Sequence, residues 1–130
     1  MSQSPSFDQV LTHLQSVDPS ELRFFRGIEK EGLRVNADSE ISQSKHASRL
    51  GSALTHPHIT TDYSEALLEF ISPVSDEPKV TLDFLSNAHR FTYQNMSDEW
   101  IWPASMPGVI GDELDVPIAE YGASHVGQLK

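Results

Sequence analysis

At 130 residues the chain has room for one domain with a core of its own, without disulfide or metal staples. Its 19 Asp and Glu against 9 Lys and Arg leave a formal charge of −10, which argues against a nucleic-acid backbone or an anionic membrane as a partner and favours cations. Cysteine is absent, which removes disulfides, thiolate nucleophiles and cysteine-based zinc sites together.

The opening residues, MSQSPSFDQ, carry no basic segment followed by an apolar one, and no apolar run approaches the roughly 18 residues of a membrane span. A soluble cytoplasmic protein is expected. Ser6 followed by Gln9 resembles a capping box, and Phe7, Val10, Leu11 and Leu14 recur at helical spacing, so a short amphipathic helix should begin there and end near residues 17–20. Residues 24–35 are rich in strand formers, and their alternation sets Glu29, Glu31, Leu33 and Val35 on one face with Ile28 and Lys30 on the other. Residues 36–39 read as a turn and 40–52 as a loop with room for one helical turn.

Residues 59–70 fit two periods. As a strand, Ala66, Leu68 and Phe70 face one way and Glu65, Leu67, Glu69 and Ile71 the other; as a helix, Leu67, Phe70, Ile71 and Val74 form a stripe opposite Glu65 and Glu69. The β-branched run Ile59-Thr60-Thr61 and Pro73 just beyond Ile71 favour two short strands. Ser75, Asp76 and Pro78 then announce a helix of about five turns, with Val80, Phe84, Leu85, Ala88, Phe91 and Met96 on its apolar face. The stretch WIWPASMPG, residues 100–108, is broken by two prolines and is expected to be an irregular loop, buried or covering substrate. Residues 111–120 are acidic and should be exposed, and the ending YGASHVGQLK lacks a closing hydrophobic element, as in a truncated chain.

The chemistry sits in the acids. Glu29 and Glu31, two apart on a strand, have Cβ atoms about 6.6 Å apart on one face, from which both can reach one or two cations. Asp62, Glu65 and Glu69 lie in the most apolar window of the chain, where carboxylates stay ionised most readily beside a divalent cation. The plainer alternative is a solvated strand face partnered by Lys30 and Arg34, and, for Glu65 and Glu69, the polar side of a helix. His56 and His58 flank Pro57 and read as turn residues leading into a strand, and His89 as a surface or packing histidine, not as zinc ligands. Gly122, Ser124, Gly127 and Lys130 could cradle a phosphate, though an ordinary loop accounts for them as well.

The segments RGIEKEGLRVN, GSALTHPHITTDYSEALLEFISPV, HRFTYQNMSDEWIWPASMP and AEYGASHVGQLK together resemble the N-terminal part of bacterial glutamate–cysteine ligase, also called γ-glutamylcysteine synthetase. The resemblance implies an α+β fold akin to glutamine synthetase, a curved antiparallel sheet with flanking helices, of which a chain this short is only the N-terminal portion of one domain. It implies an ATP-dependent ligase of glutathione synthesis that joins the γ-carboxylate of L-glutamate to the amine of L-cysteine through an acyl phosphate, with Mg2+, or Mn2+, neutralising phosphate charge. It further implies that Glu29, Glu31, Asp62 and Glu69 are metal ligands and that Tyr63 lines the cysteine pocket, at a position where family members often carry Phe. Lys130 falls in a block near the family's active site. An incomplete fragment, inactive alone with unpaired sheet edges and an uncovered apolar face, is the corollary; a non-catalytic acidic module binding divalent cations or a protein, or a ligase for another amine acceptor, are the alternatives.

Overall fold

The computed structural model describes residues 4–106 and 108–121. Helix α1, Phe7–Ser16, opens on the capping box read from the sequence: the Ser6 hydroxyl accepts the Gln9 amide and the Gln9 side chain accepts the Ser6 amide. None of its residues is buried among the described residues, so its apolar stripe meets no core.

Four strands form one antiparallel sheet: β1, Glu29–Val35; β2, Ile59–Thr61; β3, Leu67–Ile71; and β4, Trp100–Ile101, in the order β2-β3-β1-β4. Residues 59–71 are therefore two strands, as Pro73 and the β-branched run favoured. Strand β1 starts five residues later than expected. Its partner beyond β3 runs into Pro73, which has no amide to donate, and past it the pairing shifts by one residue: Ser72 N donates to Ile28 O in register, whereas Arg26 bridges Ser75. Phe24 and Phe25 are left exposed.

Helix α2, Pro78–Asn95, covers one face of the sheet. Leu50, Ile59, Leu68, Phe70 and Ile101 form the core, with Leu85, Ala88 and Met96 of the helix side packed against it, and the His89 ring stacks on Phe70 at 4.5 Å. The inward stripe of α2 holds Leu85, Ala88 and Met96 as expected and differs at its margins. Thr81 and Thr92 are buried, while Val80 and Phe91 are exposed, because the face turned to the sheet runs through 81, 85, 88 and 92 at helical spacing.

Residues 100–108 are not wholly irregular: Trp100 and Ile101 pair with Val35 and Arg34 as β4, and Pro103 falls just beyond the pairing. The close fit of β4 explains Gly32 in mid-strand, since a Cβ there would lie 2.4 Å from Ile101 Cγ2. The expected helical turn in the 40–52 loop is present at Ser48–Leu50, which buries Leu50. No described helix is long and apolar enough to cross a membrane.

Candidate carboxylate site

Pleating divides β1 into two chemically different faces. Lys30, Gly32 and Arg34 face α2, and Glu29, Glu31 and Leu33 face away from it. The β1–β3 register sets Glu31 directly opposite Glu69. The ladder bonds at Arg34 N to Ala66 O and Ser72 N to Ile28 O fall on even-numbered residues of β1, so Glu31–Glu69 is a non-hydrogen-bonded pair. In such pairs the Cα atoms are about 4.5 Å apart and the side chains closest. On the other side of β3, Thr60 pairs with Glu69, and Asp62, two residues further along that face, donates its amide to Leu67 O. Glu29, Glu31, Asp62 and Glu69 therefore share the face that α2 leaves open.

The reason for their proximity differs from the one expected. Leu68 and Phe70 do not crowd the acids, because they lie on the helix side of the pleat; Glu29, Glu31 and Asp62 are exposed and Glu69 half-buried. Burial of charge therefore does not demand a counterion here. The solvated-face alternative also loses its cations, since Lys30 reaches toward Gly32 on the opposite face and Arg34 is fully buried there with Glu99. Across the ladder itself Glu31 and Glu69 set like charge against like charge, an arrangement unfavourable by up to about 1 kcal/mol before their other partners are counted.

No three His, Asp or Glu side chains among the described residues close on one point tightly enough to form a ready-made metal cage. The donor set nonetheless fits a hard divalent cation of the magnesium kind, which takes oxygen ligands, is held by one or two carboxylates and completes its shell with water and substrate phosphates.

Tyr63 follows Asp62 in the β2–β3 turn and is 74% exposed, so its ring is available to a ligand. Glu65 behaves differently from the other acids. It does not join the open face but is 5% exposed, its two carboxylate oxygens each accepting a backbone amide, from His46 and from Glu120, at 2.8 Å. Sequence periodicity could not reveal this, because the partners are 19 and 55 residues away.

His56 and His58 shape the turn into β2 and His89 packs on Phe70, as read. His56 Nδ1 accepts the amides of His58 and Ile59, which ties the turn before β2, and His58 Nδ1 bonds Ile71 O. His46 is held neutral: burial pushes its pKa below the ordinary 6.5, and the Arg34 charge adds to this. Arg34 is the centre of a buried network, donating to Glu99 at 2.7 Å, to Ser44 O at 2.7 Å and to Glu65 O at 2.8 Å, while the Ser42 hydroxyl bonds the second Glu99 oxygen. The candidate phosphate cradle at Gly122, Ser124, Gly127 and Lys130 lies outside the described residues.

Comparison with known proteins gives the open face a context. The sequence pattern of the glutamate–cysteine ligase family matches residues 11–130. Among curated relatives, the glutamate–cysteine ligase of Alcanivorax borkumensis is 55% identical over 105 residues, 81% of this chain and 20% of that protein. That of Yersinia enterocolitica is 45% identical over 126 residues, 97% of this chain and 24% of that protein. Among solved structures, glutamate–cysteine ligase of Francisella tularensis in complex with AMP superimposes with a TM-score of 0.76 at 37% identity, covering 84% of this chain and 22% of that one. A bifunctional glutathione synthetase from Pasteurella multocida gives a TM-score of 0.69 at 35% identity, over 74% of this chain and 13% of that one. The chain thus spans about a fifth of the length of the curated relatives it matches, and its small antiparallel sheet with two helices is part of their fold. With the family pattern matched over all but its first ten residues, the chain belongs to the glutamate–cysteine ligase family.

Proposed function

We propose that this segment works as the N-terminal portion of the catalytic domain of an ATP-dependent, cytoplasmic ligase that joins the γ-carboxylate of L-glutamate to the amine of L-cysteine. The observation that carries the reading is the register that places Glu31 opposite Glu69, with Glu29 and Asp62 on the same open face, in a chain 55% identical over 105 residues to a glutamate–cysteine ligase. The Francisella relative was solved with AMP, which supports a nucleotide beside the same fold here.

In this reading Glu29, Glu31, Asp62 and Glu69 hold Mg2+, with Mn2+ as a substitute. When bound, the metal neutralises charge on the transferring phosphoryl group. The chain's own share is positional. A rigid ladder sets the acids on one plane, and the Tyr63 ring, raised on the adjoining turn, bounds the pocket for the cysteine side chain. The net charge of −10 weighs against nucleic acid or an anionic membrane as a partner.

Replacing Glu29 or Glu69 by Ala in the ligase polypeptide that carries this segment is expected to lower turnover at least about a hundredfold, the several kcal/mol a bound metal contributes, with circular dichroism unchanged. Calorimetric titration with Mg2+ should show uptake that strengthens when ATP and glutamate are present. Wild-type turnover in both variants, or metal uptake indifferent to nucleotide, would count for a non-catalytic cation-binding module instead.

A further inference from the structure

The buried carboxylate of Glu65 takes no part in the open face, yet both of its oxygens are hydrogen-bonded. Oε1 accepts His46 N and Oε2 accepts Glu120 N, both at 2.8 Å, while the Glu65 amide donates to Pro117 O and its carbonyl accepts Arg34 Nη2 at 2.8 Å. Around it, residues 117–121 run antiparallel to the β2–β3 turn. Ser64 Oγ donates to Pro117 O, Ala119 N to Tyr63 O, and the Tyr121 hydroxyl to Asp62 O. One side chain thus ties the 40–50 loop, the turn bearing Asp62 and Tyr63, and the 117–121 segment.

The geometry calls for an acceptor at both ends of the side chain. Both of its oxygens face backbone N–H donors, and only a group that accepts at both ends satisfies them; an amide would turn an NH2 toward one of the two. Glu65 and Glu69 are four residues apart in sequence but have opposite tasks, one facing backbone amides inside and the other a neighbouring acid outside.

We infer that Glu65 is a positioning residue for the ligase reaction: by holding the His46 and Glu120 amides it fixes the β2–β3 turn, and so sets Asp62 toward the metal and Tyr63 toward the amine substrate. The inference rests on the function proposed above. It assigns Glu65 no contact with metal or substrate, and it separates Glu65 from the acids with which it shares its sequence window.

The test is made in the ligase polypeptide carrying this segment, with Mn2+ affinity read by electron paramagnetic resonance of the free ion alongside steady-state kinetics. Glu65→Gln is expected to weaken Mn2+ binding about tenfold, as loss of a partner behind a ligand does, and to raise KM for cysteine, with kcat at saturating metal and cysteine within about twofold of wild type. Glu65→Asp keeps the charge but is one methylene too short to reach both amides, and it should fall between the two; it also serves if the Gln variant does not fold. A folded variant of either kind with unchanged Mn2+ affinity and cysteine KM overturns the inference. So does a uniform fall in kcat with both left intact, which would be a purely structural effect. Asp62→Asn and Glu69→Ala are measured in parallel: if neither alters Mn2+ affinity, the metal reading itself fails, whatever Glu65 does.

Discussion

Replacing Arg34 by Leu should be the most damaging single change available in this segment away from the carboxylate face. The side chains of Arg34 and Glu99 are 1% and 11% exposed, and Arg34 also donates to the Ser44 and Glu65 carbonyls. Leucine has comparable apolar bulk but leaves the Glu99 carboxylate with the Ser42 hydroxyl as its remaining named donor and takes a donor from each of two carbonyls. Breaking a buried pair on one side costs about 3–5 kcal/mol, because a charge is stranded in a poorly solvated place. For a chain of 130 residues, at about 4 °C per kcal/mol, this is a fall in Tm of about 12–20 °C. Urea unfolding followed by tryptophan fluorescence is well suited, since Trp100 and Trp102 adjoin Glu99 in and beside β4. The decisive arm is the double variant Arg34→Leu, Glu99→Leu. With both charges gone nothing is stranded, so the double change should cost less than Arg34→Leu alone. A loss below about 1 kcal/mol for Arg34→Leu, or simple additivity of the two, would refute the reasoning.

Two further outcomes follow from the packing and the buried imidazole. Gly32→Ala should destabilise by about 1–3 kcal/mol in urea unfolding, because the new Cβ meets Ile101 Cγ2 and displaces β4; combined with Ile101→Ala, which removes that atom, it should cost less than the sum of the two single changes. His46 has its folded pKa depressed by burial, so between that value and the ordinary 6.5 the unfolded chain binds the extra proton; its contribution is present above 6.5 and is lost as pH falls below it. His46→Gln should therefore flatten the stability profile on the acid side of pH 6.5, and a profile identical to wild type would contradict the assignment.

Local signals carried much of the fold. The Ser6–Gln9 box, the Ile59-Thr60-Thr61 run, the Pro73 stop and the Pro78 start each depend on neighbours within a few residues, and each element appears where its signal lies. Strand β4 was hidden because two residues carry no period of their own; they pair only because Arg34 and Val35 offer an edge. On α2 the apolar spacing finds Leu85, Ala88 and Met96 against the core but not the two threonines and the histidine that share that face, and Val80 and Phe91 at its margins stay outside. At the candidate site, the acids could be named from the sequence, but the pairing that opposes Glu31 to Glu69 could not, since register across 38 positions is set by tertiary contacts. The different fate of Glu65 was equally illegible, for what distinguishes it from Glu69 is the arrival of residues 46 and 120.

That last arrangement bears on synthesis at the ribosome. Glu65 meets its second amide only after another 55 residues have been added, which at about 5–20 residues per second takes roughly 3–11 s. Until then one oxygen at the hairpin bend lacks its native donor, so the region cannot reach its full set of bonds before Glu120 has emerged.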